Sequence, residues 1–172
     1  MATSLAEKIH AILPASIRDT AFIRIFGLLK IPVIFYCRPS VITLDEKKCV
    51  IKIPLNRRTK NHLGSMYFGV LAVGADVAGG LLTMREIQQK GNLVNLVFQD
   101  FHADFLKRPD GDVYFTCEDG IACRALVEQA LQTGERVSTK VVVTATVPSK
   151  TGAEPVAKFT LTISLKKRAS KA

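Results

Sequence analysis

From Ser65 to Met84 the chain runs twenty residues with one charged side chain, Asp76. A helix that apolar on every side has to be buried on every side, by protein or by lipid. Residues three or four apart sort into two stripes: Gly69, Ala72, Asp76, Gly80 and Thr83 on one, Val70, Val73, Val77, Leu81 and Met84 on the other. The first has almost no side-chain volume and carries the carboxylate. Glycines 69, 74, 79 and 80 each cost about 1 kcal/mol against alanine inside a helix. Packing has to offset that, so the pattern predicts a helix from about Asn61 to Met84 or Arg85, gripped by a sheet. A membrane span passes the same length test; Asp76 near its middle, the lack of a second comparable span and strand-like flanks count against it.

With 172 residues the chain can build one well-filled core. Its net charge of +9 comes from 24 Lys and Arg against 15 Asp and Glu. Part of the excess is the tail Lys166, Lys167, Arg168 and Lys171, and part is Arg57, Arg58 and Lys60 just before the apolar run. Such charge favours anionic partners and solubility and says nothing of fold. Nucleic acid is a poor match: the tyrosines and phenylalanines do not interleave with the basic residues as stacking platforms, and there is no zinc signature. Cys37, Cys49, Cys117 and Cys123 form no CxxC pair and lie in or beside apolar segments. Free buried thiols in a reducing compartment are expected, with no metal and no cofactor. Glu7 and Lys8 interrupt the first ten residues, so no signal peptide is expected and the location read from the sequence is cytoplasmic.

Along the chain, residues 4–13 and 15–30 read as helical pieces split by Pro14, with Ser16 a candidate cap. Phe22, Ile23, Phe26, Leu29 and Ile31 make the second piece amphipathic, suited to a membrane surface or to covering the open side of the main domain. Val41–Leu44 and Cys49–Leu55 read as a hairpin, followed by the long helix. In the strand 93–106, Val97, Phe101, Ala103 and Phe105 take one face, expected on a core, and Asp100, His102 and Asp104 the other. A short strand 113–117 leads to a helix 121–132, capped by Glu118 or Asp119 and closed by Gly134. Two long strands, 137–147 and 157–165, finish the chain. The expected units are an arm (1–37), a main domain (38–168) and a basic tail (169–172). A six-stranded antiparallel sheet wrapped around one buried helix, an α+β fold, accommodates every element.

Asn61-His-Leu-Gly-Ser-Met-Tyr-Phe-Gly at the head of that helix, Phe105-Leu-Lys-Arg-Pro109 after the following strand, and the element order closely resemble the hotdog-fold thioesterase superfamily, nearest its PaaI-like and DUF4442-type members. The resemblance covers roughly residues 38–166. It implies a homodimer, or a dimer of dimers, whose sheets join edge to edge, with acyl-thioester sites between the start of one long helix and the middle of the partner's. It places Asn61, Gly64 and Ser65 where the thioester carbonyl is held, His62 beside them, and Asp76 as the acidic residue facing the site. The familiar motif has His-Gly-Gly at the helix start and its carboxylate nine residues after the first glycine. Leu63-Gly-Ser stands here instead, and nine residues after Gly64 comes Val73, with Asp76 about a turn deeper.

The chemistry is plausible on its own terms. Backbone N–H groups at a helix start lack partners and favour negative charge, so those of Gly64 and Ser65 could hold the oxyanion formed on water attack. Asp76 would orient or deprotonate that water. Each residue also has a structural reading: Asn61 as a helix cap, Asp76 as a carboxylate bonded to Thr83, to backbone or across a dimer seam, His62 as a solvated loop residue. Arg57, Arg58, Lys60, Lys107 and Arg108 are candidates for coenzyme A or phosphopantetheine phosphates, or form a solvated basic edge. Phe22, Phe26, Leu29, Tyr67, Phe68 and Val73 are candidates for an acyl pocket. The expected activity is hydrolysis of an acyl-CoA or acyl-carrier thioester; the alternative is an acyl-binding protein that needs no water-activating group.

Overall fold

The computed structural model describes residues 14–168. An arm of two helices, α1 (Ala15–Lys30) and α2 (Pro32–Cys37), leads into β1 (Ser40–Leu44) and β2 (Cys49–Ile53). The central helix α3 (Phe68–Gln89) follows, then β3 (Val94–Phe105), β4 (Val113–Cys117), α4 (Gly120–Thr133), β5 (Val137–Thr146), the short α5 (Pro148–Thr151) and β6 (Pro155–Lys167). The six strands form one sheet in the order β1-β2-β4-β5-β6-β3, every neighbouring pair antiparallel. This is the hotdog architecture, α+β, with α3 as its filling and an N-terminal helical arm.

The inner face of the sheet follows the period of two expected of strands with one side on a core. Ile51 and Ile53 of β2, Phe115 of β4 and Val141 and Val143 of β5 are fully buried. They meet α3 where it has no side chains: a methyl at Gly74 would overlap the Phe115 ring, and one at Gly79 would press on Val141. The glycine cost in helix propensity is therefore what allows a bulky sheet to lie against the helix. These central strands meet a different stripe from the one carrying Asp76, which faces the edge strand β3. On that stripe the close neighbour is a side chain, Phe98, whose ring tip lies 3.3 Å from where a Gly80 Cβ would stand. By length and apolarity α3 could cross a membrane, but 61% of its most apolar window is buried inside the protein.

The helix begins later than the sequence suggests, at Phe68, with Tyr67 in an extended conformation (φ −66°, ψ 138°) as its N-terminal boundary. Residues 61–66 are held in a closed turn, so Asn61 caps no helix. At the other end α3 runs past Met84 to Gln89, because Glu86 and Ile87 are buried and Arg85 donates to the Leu44 carbonyl at 3.2 Å. The left-handed residues Gly91 (φ 79°) and Asn92 (φ 59°) then turn the chain.

The arm is fastened to the main domain. The Val41 N–H donates to Thr20 Oγ1 at 2.8 Å, and Arg24 donates to the Pro39 carbonyl at 3.0 Å and to Ser40 Oγ at 2.9 Å. The first of these occupies a backbone donor of β1, an edge strand of the sheet. Helix α1 is bounded by Pro14, not capped by Ser16, and α2 is an additional turn of helix made possible by Pro32 at its first position. The helix expected over 4–13 and the tail 169–172 lie outside the described residues. Asp119 precedes α4 without capping it; its carboxylate accepts instead from the Val142 N–H at 2.7 Å.

Strand β3 forms the other edge, and its expected core face is only half met. Val97, Phe101 and Phe105 remain about half exposed. Phe101 and Phe105 touch the core through Phe159, with ring centroids 5.6 and 6.2 Å away. A register shift between Phe98 and Asp100 breaks the alternation, and Asp100 is bonded to the N–H and hydroxyl of Thr162. All four cysteines are free and buried, as read from the sequence.

Candidate active site

The segment before α3 is a hydrogen-bonded knot. Asn61 Oδ1 accepts from the N–H of Leu63 at 2.9 Å and of Ser65 at 3.3 Å, and from Ser65 Oγ at 3.4 Å. The Asn61 N–H donates to the Ser65 carbonyl and the Gly64 N–H to the Asn61 carbonyl. Gly64 adopts φ 80°, a left-handed value that a side chain would strain. Asn61, Gly64 and Ser65 thus share one turn, with His62 exposed on it. The N–H groups of Gly64 and Ser65 are spent within the turn, so they are not the free donors expected at a helix start.

The free donors lie four residues on. At the start of α3 the first backbone bonds run from Val70 and Leu71 to the Tyr67 carbonyl. Among the described residues the N–H groups of Phe68 and Gly69 have no acceptor, and no side chain caps this end. They carry the positive end of the helix dipole. Tyr67 and Phe68, half exposed, lie beside them, their rings tilted at 58° with centroids 4.8 Å apart.

The five basic candidates gather at the same end. The Met66 N–H donates to the Pro109 carbonyl and Arg108 Nη2 to the Leu63 carbonyl, both at 2.8 Å, which ties the 107–109 segment to the turn. The Tyr67 N–H donates to the Thr59 carbonyl and Lys60 pairs with Met66, which brings in 57–60. Arg58 lies over the Tyr36 ring of α2, 5.6 Å from its centroid, and Lys107 is paired with Glu154 at 2.6 Å. Two segments nearly fifty residues apart therefore form one basic rim beside the helix start, with Arg108 and Lys107 already holding protein partners.

Asp76 stands two turns into α3. Among the described residues its carboxylate accepts no hydrogen bond, and burial pushes its pKa up from the ordinary 3.8 to about 6. Thr83, two turns further on, is fully buried against Cys123 and does not bond it. Asp76 lines a cavity of about 430 Å³ whose walls are Ile23 and Phe26 of α1, Ile31 and Ile34 of the arm, the C-terminal half of α3, and Val94–Phe98 of β3. Of the acyl-pocket candidates only Phe26 lines this space. Phe22 lines a separate cleft with Arg18 and Arg85, while Leu29, 71% exposed, Tyr67, Phe68 and Val73 line neither. Ile23, Ile34, Met84 and Phe98 also line the cavity beside Asp76, brought together from elements distant in sequence. The free N–H groups of Phe68 and Gly69 left one trace, a glycine just inside the apolar run.

Among the described residues no cluster of three or more His, Cys, Asp or Glu is placed to hold a metal. Solved structures of similar shape include a Pseudomonas aeruginosa protein of unknown function called a probable thioesterase, at 21% identity and TM-score 0.72, the match covering 91% of this chain and 97% of that one. A Chlorobaculum tepidum protein of unknown function matches at 13% identity and TM-score 0.75, over 89% of this chain and 97% of its own. A Haemophilus influenzae thioesterase matches at 13% identity and TM-score 0.60, over 83% and 88%. At such identities the likeness is one of fold. No curated protein matches the chain. The family described as "Domain of unknown function (DUF4442)" matches residues 19–165, taking in most of α1 and so reaching further than the 38–166 drawn from the motifs. The chain belongs to the DUF4442 family.

Proposed function

We propose that this protein hydrolyses acyl thioesters as a homodimer, with coenzyme A or a carrier phosphopantetheine as the thiol. The observation that carries the reading is Asp76, a carboxylate without a partner among the described residues, whose pKa of about 6 suits a base at neutral pH. The thioester carbonyl docks on the N–H groups of Phe68 and Gly69, which stabilise the oxyanion as water attacks. Asp76 takes the proton from that water, and the thiolate departs. The displaced helix start also eases the departure from the superfamily motif: counted from Tyr67, not Gly64, the ninth residue is Asp76.

Helix geometry supports the dimer. Gly69 and Asp76 are seven residues apart, about 10 Å of rise. Base and oxyanion donors have to act on one carbonyl and one water, each within about 3 Å of its partner. One helix cannot supply both to the same carbonyl, whereas two such helices side by side can pair the start of one with the middle of the other. The uncovered β3 edge, with Val97, Phe101 and Phe105 half exposed, is suited to such pairing. The basic rim at the helix start would meet the phosphates of coenzyme A, leaving Asn61 to hold the turn that presents it. A water-filled, reducing compartment such as the cytoplasm fits four free buried thiols.

Thiol release from a panel of acyl-CoAs tests this. Turnover by a dimer that falls at least tenfold in a folded, dimeric Asp76→Asn variant supports it. No turnover with any acyl-CoA or acyl-carrier thioester overturns it and, if acyl-CoA still binds saturably, turns the assignment to a carrier.

A further inference from the structure

The cavity beside Asp76 has a shape as well as a volume. Its wall on α3 runs from Asp76 to Gln88, twelve residues and about 18 Å of helix. A cavity of this length, apolar along its lining, suits one extended hydrocarbon chain. The walls are apolar along their middle, from Ile23, Phe26 and Ile34 on the arm, Leu81, Met84 and Ile87 on α3, and Leu96 and Phe98 on β3. Polar groups stand only at the ends: Asp76 at one, and Gln88, Asn92, Asn95 and Arg168 at the other, where Arg168 Nε donates to Asn95 Oδ1 at 2.8 Å.

We infer that this channel is the acyl-chain site and that the substrate class is a straight-chain, medium- to long-chain acyl thioester, with the arm helices α1 and α2 as the wall that sets chain length. The inference rests on the thioesterase reading for its chemistry but not for its binding. With the thioester beside Asp76, the chain would lie along the C-terminal half of α3 and point its methyl end toward the polar mouth. Each methylene buried against these walls raises affinity about fourfold, so affinity climbs with length until the mouth is reached. The arm is held in place by the Thr20 and Arg24 bonds to the β1 edge, so the channel is a fixed feature of the fold.

The test separates binding from turnover. Acetyl, octanoyl, dodecanoyl, palmitoyl and benzoyl thioesters are assayed for kcat/KM, and binding of a fluorescent long-chain fatty acid is measured on the same dimeric protein. Expected are a kcat/KM at least tenfold higher for dodecanoyl than for acetyl or benzoyl, and competition between the fluorescent chain and dodecanoyl-CoA. Met84→Trp, which fills the middle of the channel, should lower the dodecanoyl-to-acetyl ratio at least tenfold. Phe26→Ala, which widens it from the arm, should raise the palmitoyl-to-octanoyl ratio and gives an independent reading if the tryptophan fails to fold. Leu29→Trp, outside the channel, should shift neither ratio.

Chain binding that Met84→Trp abolishes, without turnover on any thioester, would sustain the channel and overturn the hydrolase. Turnover insensitive to chain length, or ratios unmoved by both channel variants, would overturn the channel and leave the hydrolase standing.

Discussion

The two halves of the central helix are buried by different means. The first half, from Phe68 to Asp76, has the sheet on one side, where Gly74 lies under Phe115, and leaves its start open, with two free N–H groups and a basic rim beside it. The second half is enclosed by sheet, arm and α4, and its one buried acid, Glu86, is bonded to Arg124 at 3.3 Å. Polar chemistry needs donors that the fold leaves unused, and apolar binding needs walls that the fold completes. What covers this helix changes midway, with Asp76 at the junction.

The comparison predicts where each half breaks. Asp76→Asn removes the junction carboxylate and should lower turnover about 100-fold to 10,000-fold, as loss of a general base does. It should also raise the melting temperature at neutral pH. The folded pKa of about 6 lies above the ordinary 3.8, so the charged form is the one penalised by folding. Wild-type stability is therefore highest when the group is protonated in both states, declines as pH rises between about 4 and 6, and stays lower above that. The gain from Asn should shrink as pH falls through this window, and turnover should rise through about pH 6. Thermal melts of both proteins at acidic and neutral pH, beside the rate profile, check both signs.

At the open end, Phe68→Pro deletes one free N–H, the proposed oxyanion donor, without breaking the helix. Proline is favoured at the first helical position, and Tyr67 already has the backbone expected before a proline. Turnover should drop about 100-fold to 1,000-fold while circular dichroism and melting temperature change little. Phe68→Ala, which keeps the N–H, should retain most of the rate. Equal rates for the two variants would leave Gly69 as the only donor at this end.

Where helix and sheet are in contact, Gly74→Val should destabilise by about 1–3 kcal/mol through overpacking against Phe115, read as a lower denaturant midpoint. The smallest effect is expected in the turn. Asn61→Ala removes three accepted hydrogen bonds and should cost about 1 kcal/mol, with a loss of turnover below that of Phe68→Pro because the donors themselves remain.

Much of this was legible in the residues. The alternation in 49–53, 113–117 and 137–147 gives the buried faces of three strands, since period and burial are set locally by the pleat. Asp76 stood out as the one charge in an apolar run. Less legible was the helix start. Asn61 and Ser65 are good caps anywhere, and only the pairing of their atoms with each other, with Gly64 in a left-handed turn, shows that the helix waits until Phe68. Only Phe26 of the acyl-pocket candidates lines the cavity beside Asp76, for a related reason. Hydrophobicity marks Leu29 and Phe68 as strongly as Ile23 and Phe98, and nothing local says which of them face one another.

The amino-acid sequence by itself determined that one helix would be sheathed by strands, that its glycines would carry the contact and that a single carboxylate would sit within it. Periodicity and composition fix these because each depends on neighbours three or four residues away. The tertiary structure alone decided which N–H groups stay free, that 57–66 and 107–109 share one rim, and that the arm and β3 face each other across a channel. Those outcomes depend on how the sheet curls and where its edges end, and no short stretch of chain encodes that.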